Sequence, residues 1–217
     1  MLTGFVSKKR PLAKFIIMLL IGLILLIEFV TMFGNYSARG SHENAAISFS
    51  FLATAILLGL LLFCMLSNRE DHARGLGFAY LAYYVISTFL SIGNPFYSLH
   101  AGNHGTFVAA AVFAILSNTI LIAIVVLSLI SFLNGKNFDK AIDILLIAFL
   151  GVNFLAMIML MSGYAVSKYY TWPSYFSAIE SKLFMPAFVT LGFLYLTSTS
   201  EVQVEDEPYE DTVVEDK

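Results

Sequence analysis

LAKFIIMLLIGLILLIEFVTMF, residues 12–33, carries two charges in 22 positions, Lys14 near its start and Glu28 near its end. As an α-helix rising 1.5 Å per residue it is about 33 Å long. That is enough to cross the ~30 Å hydrocarbon layer of a bilayer. Its apolar residues do not alternate with polar ones, so it does not read as a strand of a membrane β-barrel. A backbone in lipid must satisfy its own hydrogen bonds, which leaves the helix.

Five similar runs follow. Spans are expected at about 12–33, 45–67, 76–93, 107–133, 141–163 and 176–197. The fold class expected is all-α: a polytopic membrane bundle of about six transmembrane helices. Composition agrees, because 59% of the 217 residues are hydrophobic and only 12% are charged. A soluble domain carries near 25% charge. The run 107–133 exceeds the bilayer thickness and is expected to tilt or project. The run 76–93 is the shortest and contains Ser87 and Thr88, so it is expected to sit among the others. The first run follows Lys8, Lys9 and Arg10. It is longer than a signal-peptide core and is expected to be retained.

Orientation follows from lysine and arginine near the spans. The N-terminus contributes Lys8, Lys9, Arg10 and Lys14, and alternate loops add Arg69, Arg74, Lys136 and Lys140. The opposite loops hold only Arg39 and Lys168. Eight against two places residues 1–11 and both termini in the cytoplasm, in a cell membrane crossed several times. The tail, 198–217, has eight acids and one base. Such a segment is expected to be disordered, and it offers an acidic surface to a basic partner. Small residues at Ala55 and Gly59, and at Ala110 and Ala114, allow close helix approach. Nothing in the charge pattern calls for nucleic acid.

Ionisable groups inside a membrane are costly and rarely face lipid. Glu28, Glu180 and Lys182 are such groups. Equal depth below the outer boundary leads to the expectation that Glu28 meets Lys182 or shares one polar cavity with it. Asn118 and Asn153 lie near mid-membrane, where amides bond between helices. Pro186 has no N–H and frees the carbonyl of Lys182. Together Glu28, Asn118, Asn153, Glu180, Lys182 and Pro186 form the candidate intramembrane polar site. His42, His100 and His104 lie in outer loops as weak metal candidates, since Gly102 and Gly105 oppose a helix around the last two. The aromatic stretch 169–175 reads as an interfacial belt. Asn35–Tyr36–Ser37 fits a glycosylation acceptor.

No phosphate loop, zinc-protease helix or nucleophile elbow is present, and Cys64 is the single cysteine. An enzyme is therefore the less favoured class, and no cofactor is expected. The expected role is a membrane component that handles a small solute or ion. The alternative is a non-catalytic partner or assembly protein, acting through helix packing and the acidic tail.

Overall fold

The computed structural model describes residues 2–36, 41–90, 105–135, 138–166 and 172–197, without the side chains of 2, 3, 5, 35, 36 and 41–50. His100, His104 and the acidic tail lie outside the described residues, as do the side chains of His42 and Asn35. Among the described residues the structure is helical throughout: α1 (Leu2–Lys8), α2 (Arg10–Tyr36), α3 (Ser41–Leu66), α4 (Glu70–Leu90), α5 (Gly105–Asn134) and α6 (Asp139–Val166). The last helix is composite. It starts as α7 (Trp172–Ile179), widens into a π-helical turn (Glu180–Phe184) and ends as α8 (Met185–Thr197).

Four helices are long and apolar enough to cross a membrane: Arg10–Gly34, Gly105–Asn134, Asp139–Val166 and Trp172–Thr197. In α3 the described apolar run is the shorter Phe51–Leu66. The helix α4 opens on Glu70 and Asp71 and is less apolar than the rest.

The case for lipid rests on what the helices leave uncovered. In α2, Ala13, Ile17, Leu20, Ile21, Ile24 and Ile27 are buried against other helices, yet Phe15, Leu19, Leu26, Phe29 and Phe33 are exposed. Both sets recur at helical spacing, so the helix is apolar on its outer face as well as its inner one. A surface helix in water shows a polar outer face. The same holds for α5, where Phe132 is 86% exposed, and for α6, where Ile144 is 62% exposed.

The last helix is the central element. It packs on α2, α4, α6 and the short α1. Half of its apolar window is buried, against about a third or less in the other three long helices. The α3–α4 link is tight. Asn68 takes φ 53°, Arg69 N–H donates to the Cys64 carbonyl and Asn68 N–H to that of Met65. These bonds close α3 with a Schellman motif, in which asparagine tolerates the left-handed conformation. At the same end Lys14 Nζ donates to Asn68 Oδ1 at 2.7 Å, and Arg10 pairs with Glu70 at 3.0 Å.

The expectation for 76–93 is corrected here. The helix α4 buries one stripe, Ala73, Gly77 and Tyr80, and exposes Phe78, Ile86, Phe89 and Leu90. Its polar residues do not require full enclosure. Thr88 Oγ1 donates to the Tyr84 carbonyl within the helix, and Ser87 lines a polar cavity.

At the other end α2 and α7 approach closely. A Cβ on Gly34 would come within 2.6 Å of Pro173 Cγ and 2.8 Å of the Trp172 ring. Neither ring retreats easily. Gly34→Val is expected to push the two helices apart and cost about 1–3 kcal/mol, as overpacking does. Thermal unfolding in detergent would then shift down by several degrees; an unchanged transition would mean that the contact carries no weight.

Candidate functional site

Glu28 sits six residues before Gly34, and Glu180 sits eight residues after Trp172. At 1.5 Å per residue these are depths of about 9 and 12 Å from the ends of their apolar helices. The two carboxyl groups are within hydrogen-bond reach of each other. A carboxylate is acceptor-only, so this bond needs a proton on one of the pair.

The pair lines an open cavity of about 380 Å³ between α2, α3, α4 and the last helix. The helix α4 contributes Tyr80, Tyr83, Tyr84 and Ser87, and α3 contributes Phe51 and Thr54. Ser177, Ser181 and Met185 come from the last helix, Thr31 and Met32 from α2. Such a volume lies in the range of small-ligand pockets. At ~30 Å³ per water, it also has room for about a dozen waters.

Two hydroxyls in this wall lack good partners. Tyr80 is 1% exposed, and its hydroxyl donates to Met185 Sδ at 3.2 Å; a thioether is a weak acceptor. Thr54 is 4% exposed and forms no hydrogen bond among the described residues. Thr31, by contrast, turns its hydroxyl back onto the carbonyls of Ile27 and Glu28. Tyr80 is also fixed edge-on against Phe188, with ring centroids 5.4 Å apart.

The π-helical turn explains which charges meet. Met185 N–H donates to the Glu180 carbonyl, five residues back. The wider turn ends two residues before Pro186, whose ring would crowd an ordinary α-turn and whose N–H is missing. The bulge supplies one extra residue between the two halves of the helix. Upstream, Glu180 faces α2; downstream, Phe188, Thr190 and Leu194 keep their buried places.

The expected contact between Glu28 and Lys182 is not formed. Lys182 does not line the cavity, and no described carboxylate lies within ion-pair distance of it. Two residues apart on a helix, Glu180 and Lys182 point to nearly opposite sides. Once Glu180 faces α2, Lys182 cannot. Equal depth gave the wrong neighbour, because depth carries no information about azimuth.

The amides also separate from this site. Asn153 is buried and donates to Ser117 Oγ at 2.7 Å and to the Phe149 carbonyl at 2.8 Å. It joins α6 to α5, through Ser117 rather than the neighbouring, half-buried Asn118. Asn153→Leu is expected to weaken this joint by about 0.6–2 kcal/mol, the range for such bonds in membranes. Its test is the melting temperature in detergent, and an unchanged value would show that the bond contributes nothing net. Pro186 is buried just beyond the π turn.

Sequence reasoning missed Tyr80, Tyr83, Tyr84 and Thr54. The signal available was three tyrosines within five residues of an otherwise apolar run. Among the described residues no group of three or more His, Cys, Asp or Glu could hold a metal ion. Comparison with protein-family models, curated proteins and solved structures finds no match to this chain.

Proposed function

We propose that the protein crosses the cell membrane six times, with both termini in the cytoplasm, and handles a small polar solute through the cavity between α2, α3, α4 and the last helix. The charge asymmetry of eight against two supports the orientation. Among the described residues four helices are long and apolar enough to span, and the apolar runs 45–67 and 76–93 support two more.

One observation carries the functional reading: a polar cavity of about 380 Å³, walled by two carboxyls and three tyrosines, within apolar helices. Ionisable groups at such depth are expensive, and a purely structural helix contact does not need them. Broken helices at mid-membrane are where transporters place their substrates. The π turn next to Pro186 is such an interruption, and it positions Glu180.

Thiol accessibility tests this. In a Cys64→Ala background, Thr54→Cys places a thiol in the cavity wall, while Leu58→Cys places one in the fully buried core. A small water-soluble methanethiosulfonate reagent, added outside sealed vesicles, is expected to modify the first at least about tenfold faster. Equal, negligible rates would overturn the proposal. Loss of a co-purifying protein on removal of the acidic tail would, with those rates, favour the assembly role instead.

A further inference from the structure

The cavity wall is chemically one-sided. Among the described residues the titratable groups facing it are Glu28 from α2, Tyr80, Tyr83 and Tyr84 from α4, and Glu180 from the last helix; of the described side chains of α3, Phe51 and Thr54 line it. Among the described residues no lysine, arginine or histidine lines it. The cationic side chain nearest in sequence, Lys182, points elsewhere. Two carboxyls thus face each other within hydrogen-bond reach, a contact that requires one of them to carry a proton.

Tyrosine adds to the same preference. Its ring face is negative and attracts a cation, and its hydroxyl oxygen accepts a hydrogen bond. Tyr80 and Thr54, both deeply buried, line this space, and their hydroxyls lack a strong partner among the described residues. An anion would meet two carboxyls and no donor charge. A neutral solute would leave the carboxyl pair as it is.

Building on the proposed function, we infer that the cavity takes a small organic cation, which displaces the proton shared by Glu28 and Glu180. The step is an exchange. The carboxyl O–H bond breaks, its proton leaves to water, and the cation takes its place between two carboxylates. No electron moves and no covalent bond to the cation forms. Proton and cation then compete for one site, so cation affinity rises with pH. By linkage, the rise is at most tenfold per pH unit for one displaced proton.

Two methanethiosulfonate reagents of similar size separate this inference from the function beneath it. One carries a trimethylammonium group and the other a sulfonate. Each is applied to Thr54→Cys in the Cys64→Ala background, and each rate is normalised to that with a free thiol in solution. The expected result is a cation-to-anion rate ratio of at least about tenfold, rising with pH. Because the same thiolate attacks both reagents, forming a disulfide and releasing methanesulfinate, the ratio cancels the thiol's own titration. Glu180→Gln is expected to lower the ratio several-fold and to flatten its pH dependence.

A ratio near one with both reagents reacting would overturn the cation inference while leaving an open cavity. Reaction of neither would overturn the cavity function itself. A ratio that is high but independent of pH would sink the exchange. Should Thr54→Cys fail to fold, Ser87→Cys on α4 reports on the same cavity from a more exposed position.

Discussion

The variant carrying both Glu28→Gln and Glu180→Gln is expected to lose the preference for cations altogether, its cation-to-anion rate ratio falling to near one, while remaining at least as heat-stable as the parent protein. Each charged hydrogen bond is worth about 1.5–3 kcal/mol, and each 1.4 kcal/mol is a factor of ten. Two lost together give about two to four decades, enough to remove a ratio of about tenfold. Stability should behave oppositely. Enclosing carboxyls among apolar helices costs free energy, and replacing buried charges with neutral groups of similar shape is often neutral or stabilising. Two glutamines can still hydrogen-bond to each other across the space the carboxyl pair occupies. The measurements are the cation-to-anion rate ratio at Thr54→Cys and the melting temperature in the same detergent. A large fall in melting temperature would make the pair a structural clamp and remove its functional meaning. Lys182→Met serves as control. It does not line the cavity, so it should leave the ratio unchanged, and its stability effect should add to that of Glu28→Gln.

The helices were legible in the sequence because hydrophobicity in a membrane is a one-dimensional signal. The run 12–33 lies inside α2, 107–133 inside α5 and 141–163 inside α6. Residue depth was equally legible, since it follows from counting along a helix. What could not be read was the angle at which each residue points. In α2 the exposed face is as apolar as the buried one, so Glu28 alone marked a side of that helix. In the last helix the extra residue of the π turn changes every angle beyond it, and no pattern of apolar residues announces it. Pro186 gave a partial sign: it was expected to free the carbonyl of Lys182, and the helix answers by widening just before it. Asn118 and Asn153 show the same limit. Both depths suit an interhelical bond, but Asn153 of α6 finds Ser117 of α5 rather than its neighbour Asn118. The tyrosines of α4 went unread because tyrosine near a membrane usually signals the interface. Their shared cavity emerges only when α2, α3, α4 and the last helix are placed together.

Deleting Leu183 is expected to remove the π turn and abolish the site without unfolding the last helix. The wide turn exists because its two flanks each have a fixed register. Downstream, Phe188, Thr190 and Leu194 are 2% exposed or less. Upstream, the carboxyl of Glu180 is held by a single partner, Glu28. With one residue fewer, an ordinary α-helix can match only one flank. The downstream flank buries more apolar surface, at roughly 25 cal/mol per Å², so it should keep its register. The upstream half must then rotate by about 100° and shift by 1.5 Å. Glu180, Ser177 and Ser181 would swing away from α2, and Pro186 would face an α-turn, at a cost of about 3 kcal/mol. Crosslinking reads the rotation directly. In the Cys64→Ala background, Glu28→Cys with Glu180→Cys should be joined by a short bis-methanethiosulfonate linker, and deletion of Leu183 should abolish that crosslink while circular dichroism keeps its helical signal. The cation-to-anion ratio at Thr54→Cys, measured with both glutamates intact, should fall several-fold in the same deletion. If the crosslink persists, the upstream flank is the stronger one. Phe188 and Leu194 would then leave the core, and the loss would register as a lowered melting temperature instead.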